Sequence, residues 1–146
     1  MRSIRELLRQ GQRMVRLATG AYTNRWIGFE DDAYEIMDLG RPAVFLVPST
    51  KLKCPMGKKT VEVALHEFLM DNFGAFTTTV VPYYGFWRAD GERVDHDECR
   101  RYEVSFVGKH RIADLMRFIA QVASATNEIC IYFKAGQYTC LIYPRP

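Results

Sequence analysis

Residues 102–133, YEVSFVGKHRIADLMRFIAQVASATNEICIYF, change their hydrophobic period twice. Tyr102, Val104 and Phe106 alternate with Glu103 and Ser105, the period of a strand with one wet face. After Gly108, Ile112, Leu115, Met116, Ile119, Ala120 and Ala123 recur at helical spacing, and Asn127 is a residue that tolerates the left-handed cap. Ile129, Ile131 and Phe133 then alternate with Cys130 and Tyr132, so the chain returns to a strand. A strand, a crossing helix and a second strand commit this region to a sheet with a helix packed on it.

Working outward toward the N-terminus, Arg101 alternates with Tyr102 in the same strand, and Asp90-Gly91 supplies a hairpin turn, because a type I′ turn needs positive φ at both central positions. The other arm of that hairpin is the β-branched run Thr77 to Val81 continued by Tyr83 to Trp87, which predicts one long strand with Pro82 at a bulge or edge. Before it, Val61, Ala64, Leu65, Phe68 and Leu69 have helical spacing, and Gly74 stops the helix. Ala43 to Val47 is a short apolar run bracketed by Pro42 and Pro48, which reads as a buried strand, followed by a lysine-rich loop over 48–60.

Toward the C-terminus, Lys134-Ala135-Gly136-Gln137 is a turn, and Tyr138, Cys140 and Ile142 form the last strand. With the turn centred on Ala135-Gly136, Cys140 pairs with Ile131 as a buried hydrophobe, Cys130 faces the other side, and no disulfide joins the two. The order predicts an α+β fold: a ferredoxin-like two-layer sandwich, βαββαβ with a C-terminal hairpin, both helices on one face of the sheet.

An amphipathic N-terminal helix is expected ahead of this core. Ser3 and Glu6 form a capping box, and Ile4, Leu7, Leu8, Met14, Val15 and Ala18 share one side. Arg2, Arg5, Arg9, Arg13 and Arg16 fall within about 80° of arc on the opposite side. Residues 20–42 read as a short acidic helix ending at Gly40. The expectation is a single domain over 1–146, with 1–42 a helical extension packed on the 43–146 core.

The formal charge of +3 is too small to imply nucleic acid, and its distribution says more. Residues 1–20 hold five Arg and one Glu, whereas 21–40 hold one Arg and five acids, so the two segments can neutralise each other. No apolar run approaches the roughly 20 residues that cross a bilayer, and no signal-peptide apolar stretch opens the chain. Cys54, Cys99, Cys130 and Cys140 contain no C-x-x-C pair, which favours reduced thiols in a cytoplasm.

Few residues carry a chemical signature. Gly57-Lys58-Lys59-Thr60 stands where a phosphate loop would, but Leu52 occupies the position that needs glycine. Asp95-His96-Asp97-Glu98-Cys99 offers metal-ligand types in a row, yet an extended segment sends neighbours to opposite faces, so a charged hairpin arm is expected and no metal. His66 and His110 lack a nucleophile or paired carboxylate at a diagnostic spacing, and nothing calls for a cofactor. Tyr83, Tyr84, Phe86, Trp87, Tyr102 and Tyr132 exceed what one helical layer covers, so the second sheet face is expected to meet another subunit or the N-terminal helix. The RNA-binding sheet signature is missing, since residues 101–107 read RYEVSFV.

From Ala43 to Pro144 the chain resembles an uncharacterised bacterial family of small ferredoxin-like proteins. Gly85-Phe86-Trp87 before Asp90-Gly91, Leu115 to Val122, and Asn127 to Phe133 leading into the Gly136 hairpin carry the resemblance. It implies the fold and a bacterial setting and transfers no functional residues.

Three functional readings follow in rank. The first is a binding or interaction protein without enzymatic activity, working as a homodimer. The second is a small-molecule enzyme with an aromatic pocket lined by Tyr83, Trp87, Tyr102 and His66. The third is nucleic-acid binding through Arg5, Arg9, Arg13 and Arg16.

Overall fold

The computed structural model describes residues 26–29, 31–36, 38–88, 91, 93–106, 110–136 and 138–146. The helix expected over residues 3–18 lies outside them. Alternating burial builds the sheet: β1 (Arg41–Pro48) buries Ala43, Phe45 and Val47, and β6 (Val94–Phe106) buries Tyr102, Val104 and Phe106. Near the C-terminus, β7 (Ile131–Ala135) buries Ile131 and Phe133, and β8 (Tyr138–Ile142) buries Ile142. Two short strands, β4 (Thr77–Thr78) and β5 (Tyr83–Arg88), pair with successive parts of β6 along one edge. The strand order is β4-β6-β1-β7-β8, with β5 beside β6, and every pairing is antiparallel.

Two helices contribute to the same core. Helix α1 (Val61–Phe73) buries Val61, Leu65, Leu69 and Phe73, and α2 (His110–Ala125) buries Leu115, Ile119, Val122 and Ala123. These residues join the even-numbered β6 side chains and Phe45 in one hydrophobic cluster, so both helices cover the same sheet face. Phe68 and Phe118 stack with centroids 4.0 Å apart where the helices meet. No helix among the described residues is long and apolar enough to cross a membrane.

Both helix ends follow from their residues. Thr60 caps α1 by accepting the Val63 N–H, and Gly74, at φ +75°, lets its own N–H reach the Met70 carbonyl. Asn127 takes φ +55° after α2, as expected from its tolerance of that conformation.

Several expectations need correction. Residues 31–36 and 38–40 form no helix; Asp31 and Tyr34 make an isolated bridge, and Asp38 accepts the Gly40 N–H in a turn. The lysine-rich loop contains a 3₁₀ turn (Ser49–Lys51) and a small hairpin of β2 (Pro55–Met56) and β3 (Lys59–Thr60) about Gly57. The long strand over 77–87 is broken, because Pro82 cannot donate to a ladder and Val80 and Val81 swing into solvent. Its partner β6 is continuous and includes the Asp95 to Cys99 run as the expected charged arm of the hairpin. The terminal hairpin pairs Ala135 with Tyr138, with Gly136 in the turn between them. Cys140 therefore faces Phe133, not Ile131, and on the outermost strand it is exposed rather than buried.

Candidate functional site

The Thr60 cap fixes the first turns of α1, and Glu62 and His66, four residues apart, share the side that meets β6. Glu62 accepts hydrogen bonds from Lys53 Nζ at 2.8 Å and Arg100 Nη1 at 2.5 Å. Arg100 lies opposite Val47 and so projects to the helix-covered face. Two residues further, Tyr102 is wholly buried, its ring stacked on Phe45 at 5.4 Å and its hydroxyl 3.1 Å from His66 Nε2. Phe76 closes the group, with its ring 4.8 Å from His66 and 6.1 Å from Tyr102.

Each ionisation is set by these neighbours. The hydrogen bond from Lys53, and then that from Arg100, hold the Glu62 carboxyl down at about 2, against its partial burial. Burial lowers the His66 pKa, outweighing the Glu62 charge that raises it. Burial raises the Tyr102 phenol, against the pull of Arg100. Near neutral pH the group therefore holds one carboxylate, two cations, a neutral imidazole and a neutral phenol. Its carboxylate is already doubly engaged, and every buried side-chain nitrogen and oxygen among the described residues has a partner. Tyr102 belongs to the same buried hydrophobic cluster as Phe45, Leu65, Leu69 and Val104. The arrangement is a polar seam tying α1 to β6.

A second locus lies at the far end of β6. There β5 and residues 94–99 form a hairpin arm whose two faces differ. Tyr83, Gly85 and Trp87 pair with Cys99, Asp97 and Asp95 and point, by alternation from Tyr102, to the helix-free face. Tyr84, Phe86 and Arg88 pair with Glu98, His96 and Val94 on the helix-side face. Tyr83, Tyr84, Phe86 and Trp87 are 46%, 58%, 70% and 45% exposed, so neither face of the arm is covered by described residues. Phe86 stacks on His96 with centroids 5.7 Å apart, and Arg93 pairs with Asp95 at 2.9 Å. At the root of the arm Cys99 is buried, and burial first, then the Asp97 charge, pushes its thiol up to about 11. Among the described residues the outer edge of β5 pairs with no strand.

Of the four residues expected to line a pocket, His66 and Tyr102 meet, whereas Tyr83 and Trp87 stand on the arm and on the opposite sheet face. Arg5, Arg9, Arg13 and Arg16 lie outside the described residues. Sequence reasoning missed Glu62, Arg100 and Phe76. Glu62 stands one helical turn before His66 and Arg100 one strand period before Tyr102, so period counting from the two named residues reaches both. In the Asp95 to Cys99 run, alternation sends Asp95, Asp97 and Cys99 to one face and His96 and Glu98 to the other. No group of three or more His, Cys, Asp or Glu able to hold a metal ion occurs among the described residues.

No family model and no curated protein matches the chain. Among solved structures it is similar to a phage SAM lyase in complex with S-methyl-5′-thioadenosine, at 9% sequence identity and a TM-score of 0.49, over 77% of this chain and 96% of that one.

Proposed function

We propose that this chain is a binding module without chemistry of its own, which works as a homodimer in a bacterial cytoplasm and uses the β5–β6 arm as its contact surface. The observation that carries the reading is the exposure of four aromatic side chains within five residues, Tyr83 to Trp87, on both faces of one hairpin. Isolated exposed aromatics are ordinary, but a contiguous group is the composition of an interface core. A ferredoxin-like classification belongs to the same proposal and is supported by the order β5-β6-β1-β7 with α1 and α2 on one face.

The small-molecule alternative is weaker. Its pocket needs Tyr83 and Trp87 on the His66 side of the sheet, and they point away from it. The Glu62 carboxylate and the His66 Nε2–Tyr102 hydroxyl pair are also already engaged within the protein. Light scattering of the whole protein at concentrations up to about 100 µM tests the main reading, since a weak dimer of this kind is populated there. A concentration-dependent approach to twice the monomer mass is expected. A constant monomer mass overturns it.

A further inference from the structure

We infer that β5 is the dimer contact itself, adding edge to edge and antiparallel to β5 of a second copy about a two-fold axis through Gly85. This deepens the proposed self-association by naming its strand and register. An unpaired sheet edge presents a row of backbone N–H and C=O groups, and natural edges are usually blunted by lysine, proline or a cover. The outer edge of β5 has no lysine or proline within Tyr83 to Trp87, and among the described residues no strand pairs with it.

The sequence of the strand selects the occupant. Two antiparallel copies related by an axis normal to the sheet keep facing residues on one side, so the numbers of facing residues share parity. An axis through Gly85 sets Tyr83 against Trp87 of the second copy and Tyr84 against its Phe86, each pair occurring twice. An axis through Tyr84 faces Tyr83 with Gly85, and one through Phe86 faces Trp87 with Gly85 and Tyr84 with Arg88. The Gly85 register alone matches every aromatic residue with another. It also puts the residue without a side chain where the two copies cross, and a Cβ built there would meet nothing within 4 Å. The run Tyr-Tyr-Gly-Phe-Trp is thus a palindrome in aromatic character and is self-complementary as a strand.

The exposed area available to the contact is small. An aromatic side chain presents about 150–250 Å² and roughly half of each is exposed here, so two copies offer about 800 Å² besides the backbone edge. That is below the roughly 1,200 Å² of a standard interface and fits dissociation in the micromolar range.

Sedimentation equilibrium of the full chain across about 1–200 µM tests the inference, with two substitutions at exposed positions and circular dichroism to verify folding. The parent protein is expected to show a monomer–dimer equilibrium, and Tyr84→Lys, which places a charge against Phe86 twice per dimer, to weaken it about tenfold. Gly85→Cys is expected to yield, on mild oxidation, a disulfide between the two position-85 side chains, identified by mass spectrometry of the linked peptides. Arg88→Cys is expected to yield none between position-88 side chains, because the axis holds them about 20 Å apart. A strict monomer overturns both this interface and the homodimer reading. A dimer that ignores Tyr84→Lys and gives no 85-to-85 disulfide overturns the interface and leaves self-association standing. Equal cross-linking at 85 and 88 marks random collision and also overturns the interface.

Discussion

His66 Nε2 and the Tyr102 hydroxyl approach to 3.1 Å, joining α1 to β6 at a ring that is fully buried. The contact joins two groups that burial keeps neutral: the imidazole because its pKa is lowered, the phenol because its pKa is raised. A hydrogen bond between neutral partners carries no charge into the core, which is why it can sit beside the stacked Phe45 ring.

Tyr102→Phe keeps the stack on Phe45 and removes the hydroxyl. The imidazole is half-buried, so water reaches its orphaned nitrogen, and the expected loss is about 1 kcal/mol. Urea unfolding at pH 7 measures it; a loss several times larger would show that Arg100 and Thr78, which also hydrogen-bond the hydroxyl, find no replacement partner in water.

The lowered pKa of His66 gives stability a pH dependence whose sign is fixed. The folded protein takes up the imidazole proton less readily than the unfolded chain, so this contribution is complete above the ordinary histidine value near 6.5 and declines as pH falls through the folded pKa. Groups facing it from other elements are Arg100 and Tyr102 on β6 and Phe76, with Glu62 on its own helix. Relative to His66→Gln, the parent protein is expected to lose stability between about pH 7 and pH 5. Parallel pH dependences for the two proteins would contradict this.

Glu62 titrates in a different window. Its carboxyl stands at about 2 when folded against an ordinary 4.5, so the stability it adds is present above 4.5 and lost as pH falls toward 2. Its side chain is 20% exposed and its partner Lys53 is 80% exposed, so solvent screening reduces the benefit to on the order of 1 kcal/mol. Urea midpoints of the parent and Glu62→Gln proteins should therefore differ at pH 6 and converge toward pH 3.

How far the sequence could be read depends on the range of each contact. Period and capping are local, so both helices, their Gly74 and Asn127 ends and the alternating face of Tyr102 to Phe106 were legible in it. Register is set by pairings between distant segments. A shift in the terminal turn moved Cys140 from Ile131 to Phe133, and no local signal marked it. The site shows the same division. His66 and Tyr102 stood out by residue type, but Tyr83 and Trp87 were grouped with them because the list of aromatics does not tell which sheet face each takes. That follows from the pairing of Tyr83 with Cys99, an odd-numbered residue of β6.

Thr60 supplies a local test of α1. Its hydroxyl accepts the Val63 N–H at 3.3 Å, one of the amides that a helix start leaves without a partner. Thr60→Ala should cost about 1 kcal/mol in thermal or urea unfolding, whereas Thr60→Asn should be near neutral, because its side-chain oxygen can take the same amide.

The cysteines differ in reactivity for a physical reason that alkylation can read. Only the thiolate attacks iodoacetamide, so a thiol both buried and raised to about 11 is slow on two counts, and Cys99 is such a thiol. Burial also raises Cys140, but its side chain is exposed on the outermost strand. Timed alkylation at pH 8 with peptide mapping should label Cys140 well before Cys99, and mild urea should speed Cys99 selectively as the root of the arm opens. Early labelling of Cys99 in the native protein would mean that the root of the arm opens far more readily than its packing implies.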